Sequence, residues 1–254
     1  MKLFRRDGKR PMPLSERLYR RFLLKYHGRY LVADLQARAK QRSLYYIEAH
    51  MRDALIFEDR WDLLLFAAGR APAEGMMLEF GVADGASLRW VASRIARPFH
   101  GFDSFEGLPE DWSGTFERRG KFGRGGALPK VPANATLHRG WFEATLPAFL
   151  KEHAEEKAAF VHVDCDIYAS TTTVLRSLTP RFTAGTVLVF DEYFNYPNWE
   201  RHEWRAFQEF VRDTGTSYEY LGFAQKNGHV AVRLGDRSAD AARLAAEKLA
   251  RIGG

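Results

Sequence analysis

Short apolar runs alternate with amphipathic segments from about Gly75 onward, and this alternation constrains the fold more than any other feature. Runs of strand length occur at 76–81, 99–102, 136–139, 159–164 and 186–191, with helical periodicity between them at 87–96, 146–153, 171–178 and 200–214. Two further runs, 218–224 and 229–234, are joined through Asn227-Gly228, a step typical of a tight hairpin turn. The pattern predicts an α/β domain with a mostly parallel sheet and an antiparallel last strand.

The segment before this domain has a helical pattern instead. Apolar residues recur three and four positions apart from Leu14 to about Ala71. Residues 59–69 predict a helix that ends at Gly69, with Pro72 just beyond it as a stop signal. We therefore expect a basic flexible arm at 1–12, a helical extension at 13–74, the α/β domain at 75–235, and a tail at 236–254 that is either a peripheral helix or disordered.

The formal net charge is +6, and Lys and Arg crowd the segment from Arg17 to Arg42. We interpret this crowding as the solvated face of helices; binding of RNA, an acidic substrate or a membrane surface is the weaker alternative. The sequence contains no run of roughly 20 apolar residues that could span a bilayer. Its one cysteine, Cys165, fits a reducing cytoplasm without a disulfide framework. We expect a cytoplasmic protein without a membrane or nucleic-acid partner, whose N-terminal helices offer a surface for a homo-oligomer.

Small residues follow the first strand of the domain, after Glu79. Gly81, Ala83 and Gly85 let the backbone turn sharply and approach a ligand closely. The next helix would present free N–H groups and a positive dipole end to an anionic group, and Ser87 would add a hydroxyl. The same spacing is a degenerate dinucleotide fingerprint, so a nicotinamide cofactor stays open at this point.

Residues that suit a nucleoside follow the second and third strands. Asp103 comes about 20 positions after the glycine loop, where an acid accepts hydrogen bonds from ribose hydroxyls, and Ser104 follows it. Gly140 and Trp141 follow the third strand, and the Trp141 ring is placed to pack on an adenine. A helix cap at Asp103 and a core tryptophan at 141 are the structural alternatives.

Carboxylates end the fourth and fifth strands. Asp164 and Asp166 follow one, and Asp191 and Glu192 follow the other. Because the carboxyl ends of parallel strands meet at one edge of a sheet, we expect these acids to be neighbours. Clustered carboxylates repel each other unless a cation joins them, and oxygen ligands suit Mg²⁺. We predict a magnesium site at Asp164, Asp191 and Glu192, with Asp166 in reserve; helix caps or arginine pairs are the alternative.

Three histidines and one loop lie near these motifs. We interpret His162 as a buried, hydrogen-bonded core residue, whereas His138 and His202 could each approach a substrate. The segment 111–132 is rich in Gly, Pro and charge, and a loop of that length in a small domain is usually functional or disordered. Its position between the second and third strands predicts a lid over the cofactor.

Five sequence blocks together resemble the macrocin O-methyltransferase (TylF-like) family, in the same order along about 75–235. They are residues 78–87, 101–109, 140–147, 163–171 and 189–199. The resemblance implies a Rossmann-like class I methyltransferase sheet and S-adenosylmethionine as the cofactor. It also implies Mg²⁺-assisted O-methyl transfer to a small-molecule hydroxyl, typically on a sugar, with metal ligands at Asp164, Asp191 and Glu192. Glu192 departs from the family, which has Asp or Asn there.

On this interpretation Asp164 and Asp191 are the catalytic acids, and the cofactor is bound at Glu79, Gly81, Ala83, Gly85, Ser87, Asp103, Ser104, Gly140, Trp141 and Asp164. Three other functions compete with it. A nicotinamide-dependent oxidoreductase would use the glycine loop and Asp103 but leaves the clustered acids unexplained. A metal-dependent glycosyltransferase would use Asp164 and Asp166 for a nucleotide sugar but leaves the glycine loop without a role. A non-enzymatic protein would bind RNA or a partner through its basic helices.

Overall fold

The computed structural model describes residues 14–26 and 31–252, and eight strands in these residues form one sheet. The strands are β1 (Leu55–Phe57), β2 (Met76–Phe80), β3 (Phe99–Asp103), β4 (Ala135–Arg139), β5 (Ala158–Val163), β6 (Val187–Phe190), β7 (Thr216–Ala224) and β8 (Val230–Arg237). Their order across the sheet is β1-β7-β8-β6-β5-β2-β3-β4. Strand β8 is antiparallel to both of its neighbours, and every other pairing is parallel.

The described residues form eight α-helices, and several of them pack on the two faces of this sheet. They are α1 (Leu14–Tyr26), α2 (Leu31–His50), α3 (Arg60–Gly69), α4 (Ala86–Ala92), α5 (Phe142–Glu152), α6 (Tyr168–Leu178), α7 (Glu203–Thr214) and α8 (Ala239–Ile252). Met76, Leu78 and Phe80 pack with α5, α6 and α7 on one face, whereas Met77, which lies between Met76 and Leu78, packs with α3 and α4 on the other. Successive strand residues point to opposite faces, so a strand buried on both sides reads as a continuous apolar run.

The fold class predicted from the sequence is confirmed, and each strand predicted after residue 75 is present to within three residues at either end. The helical prediction for 14–71 is wrong at Leu55–Phe57, which forms β1 and pairs in parallel with β7. A three-residue strand has no measurable periodicity, and its partner, Gly222 to Ala224, is distant in sequence. The extension is therefore partly built into the sheet.

The sequence predicts an arm at the N-terminal end and a tail at the C-terminal end of the chain. The predicted arm at 1–12 lies outside the described residues. The tail forms helix α8, which matches the peripheral-helix alternative. None of the helices in the described residues is both long enough and apolar enough to cross a membrane.

The strand order creates a crevice at the carboxyl edge of the sheet. β2 lies between β3 and β5, so the chain leaves it toward one side after β2 and returns on the other side with β5. Ligands of open α/β sheets bind where the strand order reverses in this way. The loops after β2, β3, β5 and β6 all open at this edge.

Candidate active site

One cavity of about 640 Å³ opens at this edge, within the size range of small-molecule sites. On one side it is lined by Gly81, Ala83, Asp103, Ser104 and Trp141, which we call the cofactor side. On the other it is lined by Asp164, Asp166, Asp191, Glu192 and Arg60, which we call the acid side. The glycine turn, the predicted ribose acid and all three predicted metal ligands thus surround a single space.

Gly81 is required by the close approach of two strand ends. Its φ is +89°, and a Cβ atom there would lie 1.7 Å from the carbonyl oxygen of Asp164. The Asp164 N–H donates to the carbonyl of Phe80 at 2.8 Å, which holds the two strand ends together. Any larger residue at 81 would push the cofactor side away from the acid side.

Asp103 holds the glycine loop in place. Its Oδ2 accepts hydrogen bonds from the N–H groups of Val82 and Ala83, each at 2.8 Å, and its Oδ1 accepts one from Phe105 at 2.6 Å. A carboxylate offers about four acceptor positions, so one remains on Oδ1. The side chain therefore orders the loop and keeps limited capacity for a ligand hydroxyl.

Several residues predicted to bind the cofactor lie behind the loop instead. Ser87 donates its hydroxyl to Glu79 Oε1 at 2.9 Å, and both side chains are buried outside the cavity lining. The expectation that Ser87 reaches an anionic ligand is not met, because the hydroxyl is committed to this pair. Gly85 and Gly140 also lie outside the lining and serve as backbone turns, with φ of +77° and +142°.

The expected anion site at the start of α4 is already capped. The N–H of Ala86 donates to Asp84 Oδ1 at 2.9 Å, which places a carboxylate at the positive end of the helix. α4 is also only seven residues long. A second anion would meet the Asp84 charge there.

On the acid side, Asp191 is surrounded by nitrogen atoms of three basic side chains. Arg60 Nη1 lies 3.1 Å from its Oδ2, while His229 Nδ1 and His162 Nε2 lie 3.0 and 3.5 Å from its Oδ1. Burial alone would raise the pKa of Asp191, but the nearby His229 and His162 hold it below its usual range. Asp191 is therefore an ionised group, and a poor proton acceptor.

His162 is buried and hydrogen-bonded, as predicted, and it lies between two carboxylates. It is fully buried, and its Nδ1 lies 3.1 Å from Glu79 Oε2, but its Nε2 lacks a well-aligned hydrogen bond among the described residues. Burial lowers the pKa of His162, but the carboxylates of Asp191 and Glu79 outweigh it and raise the pKa to about 10. The residue is a buried cation held between two carboxylates.

The other acids on this side have raised pKa values, whereas that of Asp191 is lowered. Burial first, and then the charges of neighbouring carboxylates, raise the pKa values of Asp164, Asp166 and Glu192 well above their usual range. Behind them the fully buried Glu203 accepts hydrogen bonds from the N–H groups of Cys165 (3.2 Å) and Glu192 (2.9 Å). Burial raises the pKa of Glu203 to about 8. Glu203 thus ties the loop after β5 to the loop after β6.

The residues on the acid side do not fit the predicted oxygen-only magnesium site. Among the described residues, one potential ligand atom each from His162, Asp164 and Asp191 lie within 4.8 Å of one another, and Glu192 is outside that group. A histidine thus replaces the predicted third carboxylate. Both Asp191 oxygens already face nitrogen atoms. Mg²⁺ prefers oxygen ligands in a near-octahedral arrangement, which this set does not supply.

The segment predicted as a lid is ordered over the cavity. Trp112, Phe122 and Arg124 of this segment line it. The segment is fixed to the loop after β6, because His202 Nε2 lies 2.9 Å from the Ser113 carbonyl oxygen and 3.1 Å from its hydroxyl. His202 therefore anchors the lid and does not line the cavity.

His138 is also outside the cavity lining. It stacks on Phe102 at 4.5 Å, and its Nε2 lies 3.1 Å from His100 Nδ1. Burial lowers the pKa of His138, which keeps the ring neutral in this setting. Neither of the two histidines predicted to approach a substrate lines the cavity.

Three residues that contact the clustered acids or their loops were not predicted from the sequence. Arg60 starts α3 upstream of the domain, His229 lies between the last two strands, and Glu203 lies in α7. None of them belongs to a recognisable motif. The only available signal for Glu203 was an acid on an otherwise apolar helix face, and it was not distinguishable from a capping residue.

The part of the chain that forms most of this cavity is similar to known proteins. Residues 78–193 match the family described as "Methyltransferase domain". This region is therefore similar to methyltransferase domains. The match begins at β2 and ends just after Asp191 and Glu192, so it contains both strand ends that bear the predicted acids, and leaves out Arg60.

Individual methyltransferases resemble the chain more broadly. A Streptomyces olivaceus protein named 8-demethyl-8-(2,3-dimethoxy-alpha-L-rhamnosyl)-tetracenomycin-C 4'-O-methyltransferase is 28% identical over 160 residues, 53% of this chain and 60% of that protein. The chain thus spans less than two thirds of this relative. Among solved structures, the calicheamicin methyltransferase CalS11 covers 90% of this chain and 95% of its own at 21% identity, with a TM-score of 0.54.

The O-methyltransferase NovP covers 70% of this chain and 80% of its own at 19% identity, with a TM-score of 0.51. At these identities the solved structures establish the fold, which is that of a Rossmann-like methyltransferase. The competing oxidoreductase and glycosyltransferase functions find no support among these proteins. The narrower resemblance to the macrocin O-methyltransferase family stays a prediction.

Proposed function

We propose that this chain is an S-adenosylmethionine-dependent O-methyltransferase that methylates a hydroxyl of a small molecule of the sugar or natural-product type. The observation that carries the proposal is the single cavity shared by the glycine turn, Asp103 and the clustered acids. The family match supports methyl transfer, and the names of the tetracenomycin relative and NovP support an oxygen acceptor.

The cofactor side fits S-adenosylmethionine. Gly81 leaves the strand ends close together, Asp103 keeps one acceptor position for a ribose hydroxyl, and Trp141 presents a partly exposed ring (38%) to the cavity for an adenine. When bound, the cofactor supplies an electrophilic methyl group. The protein contributes mainly by orienting the acceptor toward it, since positioning two reactants can supply a large part of a barrier.

Asp164 is the residue we assign to accept the hydroxyl proton. It lines the cavity, and its raised pKa makes its carboxylate a better base than an ordinary aspartate. Asp191, the other acid predicted to be catalytic, holds the cationic groups and does not accept the proton. Asp166 and Glu192 line the same side and are placed to bind hydroxyls of a polar acceptor.

Magnesium assistance, which the resemblance implies, is not part of the proposed reaction, because the described residues do not bring the oxygen trio together. Methyl transfer should proceed at an unchanged rate in excess EDTA. A rate that disappears with EDTA and returns with Mg²⁺ would restore the predicted metal role.

Calorimetry tests the cofactor directly. We expect micromolar or tighter binding of S-adenosylhomocysteine, and no binding of NADH or a UDP-sugar. Binding of NADH would favour an oxidoreductase, and binding of the UDP-sugar would favour a glycosyltransferase. A screen of hydroxylated acceptors, with production of S-adenosylhomocysteine as the readout, then tests the acceptor class.

We also propose that a second copy of the chain covers the N-terminal helices. Leu14, Leu18 and Tyr19 on α1, and Leu35 and Tyr45 on α2, are each between 48% and 70% exposed. An apolar face of this kind is typical of a protein–protein contact.

A further inference from the structure

Arg60 reaches the active site from outside the matched methyltransferase domain. It is the first residue of α3, whose preceding residue Asp59 caps the helix through bonds from the N–H groups of Trp61 and Asp62. The guanidinium lies over the Trp61 ring, 4.5 Å from its centroid, and Trp61 is in turn fixed by a bond from Trp90 Nε1 to its carbonyl at 3.1 Å. The helix cap and the contact with Trp61 therefore orient the Arg60 side chain.

The end of this side chain contacts both oxygens of Asp191. Nη1 lies 3.1 Å from Oδ2 and 3.5 Å from Oδ1. On the opposite side, His229 and His162 approach Oδ1. The Asp191 side chain is only 6% exposed, so little of it is open to solvent.

A guanidinium keeps its positive charge at every pH relevant to a protein. A divalent cation bound to Asp191 would have to take an oxygen from Arg60 and then sit beside its charge. Repulsion between two such charges is strong in a partly buried site, where the effective dielectric constant is far below that of water. Arg60 and a divalent cation therefore exclude each other at Asp191.

We propose that Arg60 occupies the cation position at Asp191, so that the site is organised by protein charges alone and His162, Asp164 and Asp191 form a latent metal site that opens when Arg60 is removed. The inference deepens the proposed function, on which it rests for the role of the cavity. Arg60 is a positioning residue: it acts through Asp191 and keeps that carboxylate fixed beside Asp164.

The experiment measures binding of Mn²⁺ alone, by calorimetry, to the wild type, Arg60→Gln and the double variant Arg60→Gln/Asp191→Asn. Glutamine keeps a polar side chain of similar reach but removes the charge. We expect Arg60→Gln to bind Mn²⁺ at least about tenfold more tightly than the wild type does, since the competing charge is gone. The double variant should lose that gain, because Asp191 supplies the ligand.

Arg70→Gln is the matched control. It lies at the other end of α3, where it packs on Phe66, and it does not line the cavity. Its affinity for Mn²⁺ should equal that of the wild type. Merely structural damage to α3 would not create an affinity for a metal, so the gain is specific to the proposed competition.

Two outcomes overturn the inference. One is equal Mn²⁺ affinity in the wild type and Arg60→Gln; the other is tight binding to the wild type that Asp191→Asn abolishes. Binding of S-adenosylhomocysteine, measured on the same samples, separates this result from the proposed function. Its absence in the wild type would refute the methyltransferase assignment while the Mn²⁺ comparison still decides the role of Arg60.

Discussion

The cofactor side and the acid side of the cavity are assembled in different ways. The cofactor side comes from the ends of β2 and β3 and the start of α5, all inside the matched domain and within 61 residues from Gly81 to Trp141. The acid side combines the ends of β5 and β6 with Arg60, His229 and Glu203, and these three residues lie outside the match. The proposed cofactor side is thus built from one local stretch of the chain, whereas the surroundings of the acids come from residues far apart in sequence.

Their electrostatics also differ. Backbone N–H groups satisfy Asp103 on the cofactor side. On the acid side, Asp191 pairs with Arg60. Burial and the neighbouring carboxylates raise the pKa values of Asp164, Asp166 and Glu192. The difference teaches that acids at neighbouring strand ends can have opposite surroundings: Asp191 lies among basic side chains, whereas burial raises the pKa of Asp164.

Gly81→Ala should have the largest effect, because it breaks the junction between the two sides. The added Cβ would overlap the Asp164 carbonyl, and the residue would keep a left-handed backbone. We expect a loss of roughly 3 kcal/mol or more in the free energy of unfolding and no detectable binding of S-adenosylhomocysteine. Urea unfolding and calorimetry measure both.

Gly69→Ala is the control for this variant, because nothing lies within 4 Å of the added atom at that position on α3. Its stability and cofactor affinity should match those of the wild type. Wild-type affinity in Gly81→Ala would show that the two sides are not joined as described.

Asp164→Asn separates the two sides by function. It removes the proposed proton acceptor and leaves the cofactor side intact, so kcat should fall by about 10² to 10⁴ while S-adenosylhomocysteine affinity changes less than threefold. In the wild type, kcat should rise with pH through the raised pKa of Asp164, because only the ionised form accepts a proton. An unchanged kcat would assign the proton to another group.

His162→Gln sharpens the electrostatic difference through stability. The pKa of His162 is about 10 in the folded protein and about 6.5 when unfolded, so protonation favours the fold. Its contribution is complete below pH 6.5 and is lost as the pH rises toward 10. The free energy of unfolding of the wild type should therefore decline over this range more steeply than that of the variant.

Parallel curves for the wild type and His162→Gln, from urea unfolding at several pH values, would contradict the buried cation.

The smallest effect on activity is expected from the surface beyond both sides. Leu18→Glu combined with Leu35→Glu places charges on the exposed faces of α1 and α2, and light scattering should show a shift toward monomer with cofactor affinity unchanged. Leu244→Glu, at an exposed leucine of α8, should leave the mass as it is. A monomeric wild type would refute the second copy.

The sequence alone determined seven of the eight strands in the described residues and brought the glycine turn and Asp103 to one crevice, because both depend on short-range patterns. Alternating apolar runs specify parallel strands, and the loop from Gly81 to Ser87 needs small residues wherever the chain turns back on itself. The same logic placed Asp164, Asp191 and Glu192 at one edge, since their strands are neighbours. It could not distinguish their roles.

Only the tertiary structure decided those roles, because they depend on groups far away in the chain. Arg60 and His229 are 131 and 38 positions from Asp191, and they come beside it through the packing of α3 and the pairing of β8 with β6. Strand β1 was missed for the same reason, since three residues acquire strand structure from a partner such as Gly222. A carboxylate's charge state is set by its neighbours in space, and a sequence motif specifies only its neighbours in the chain.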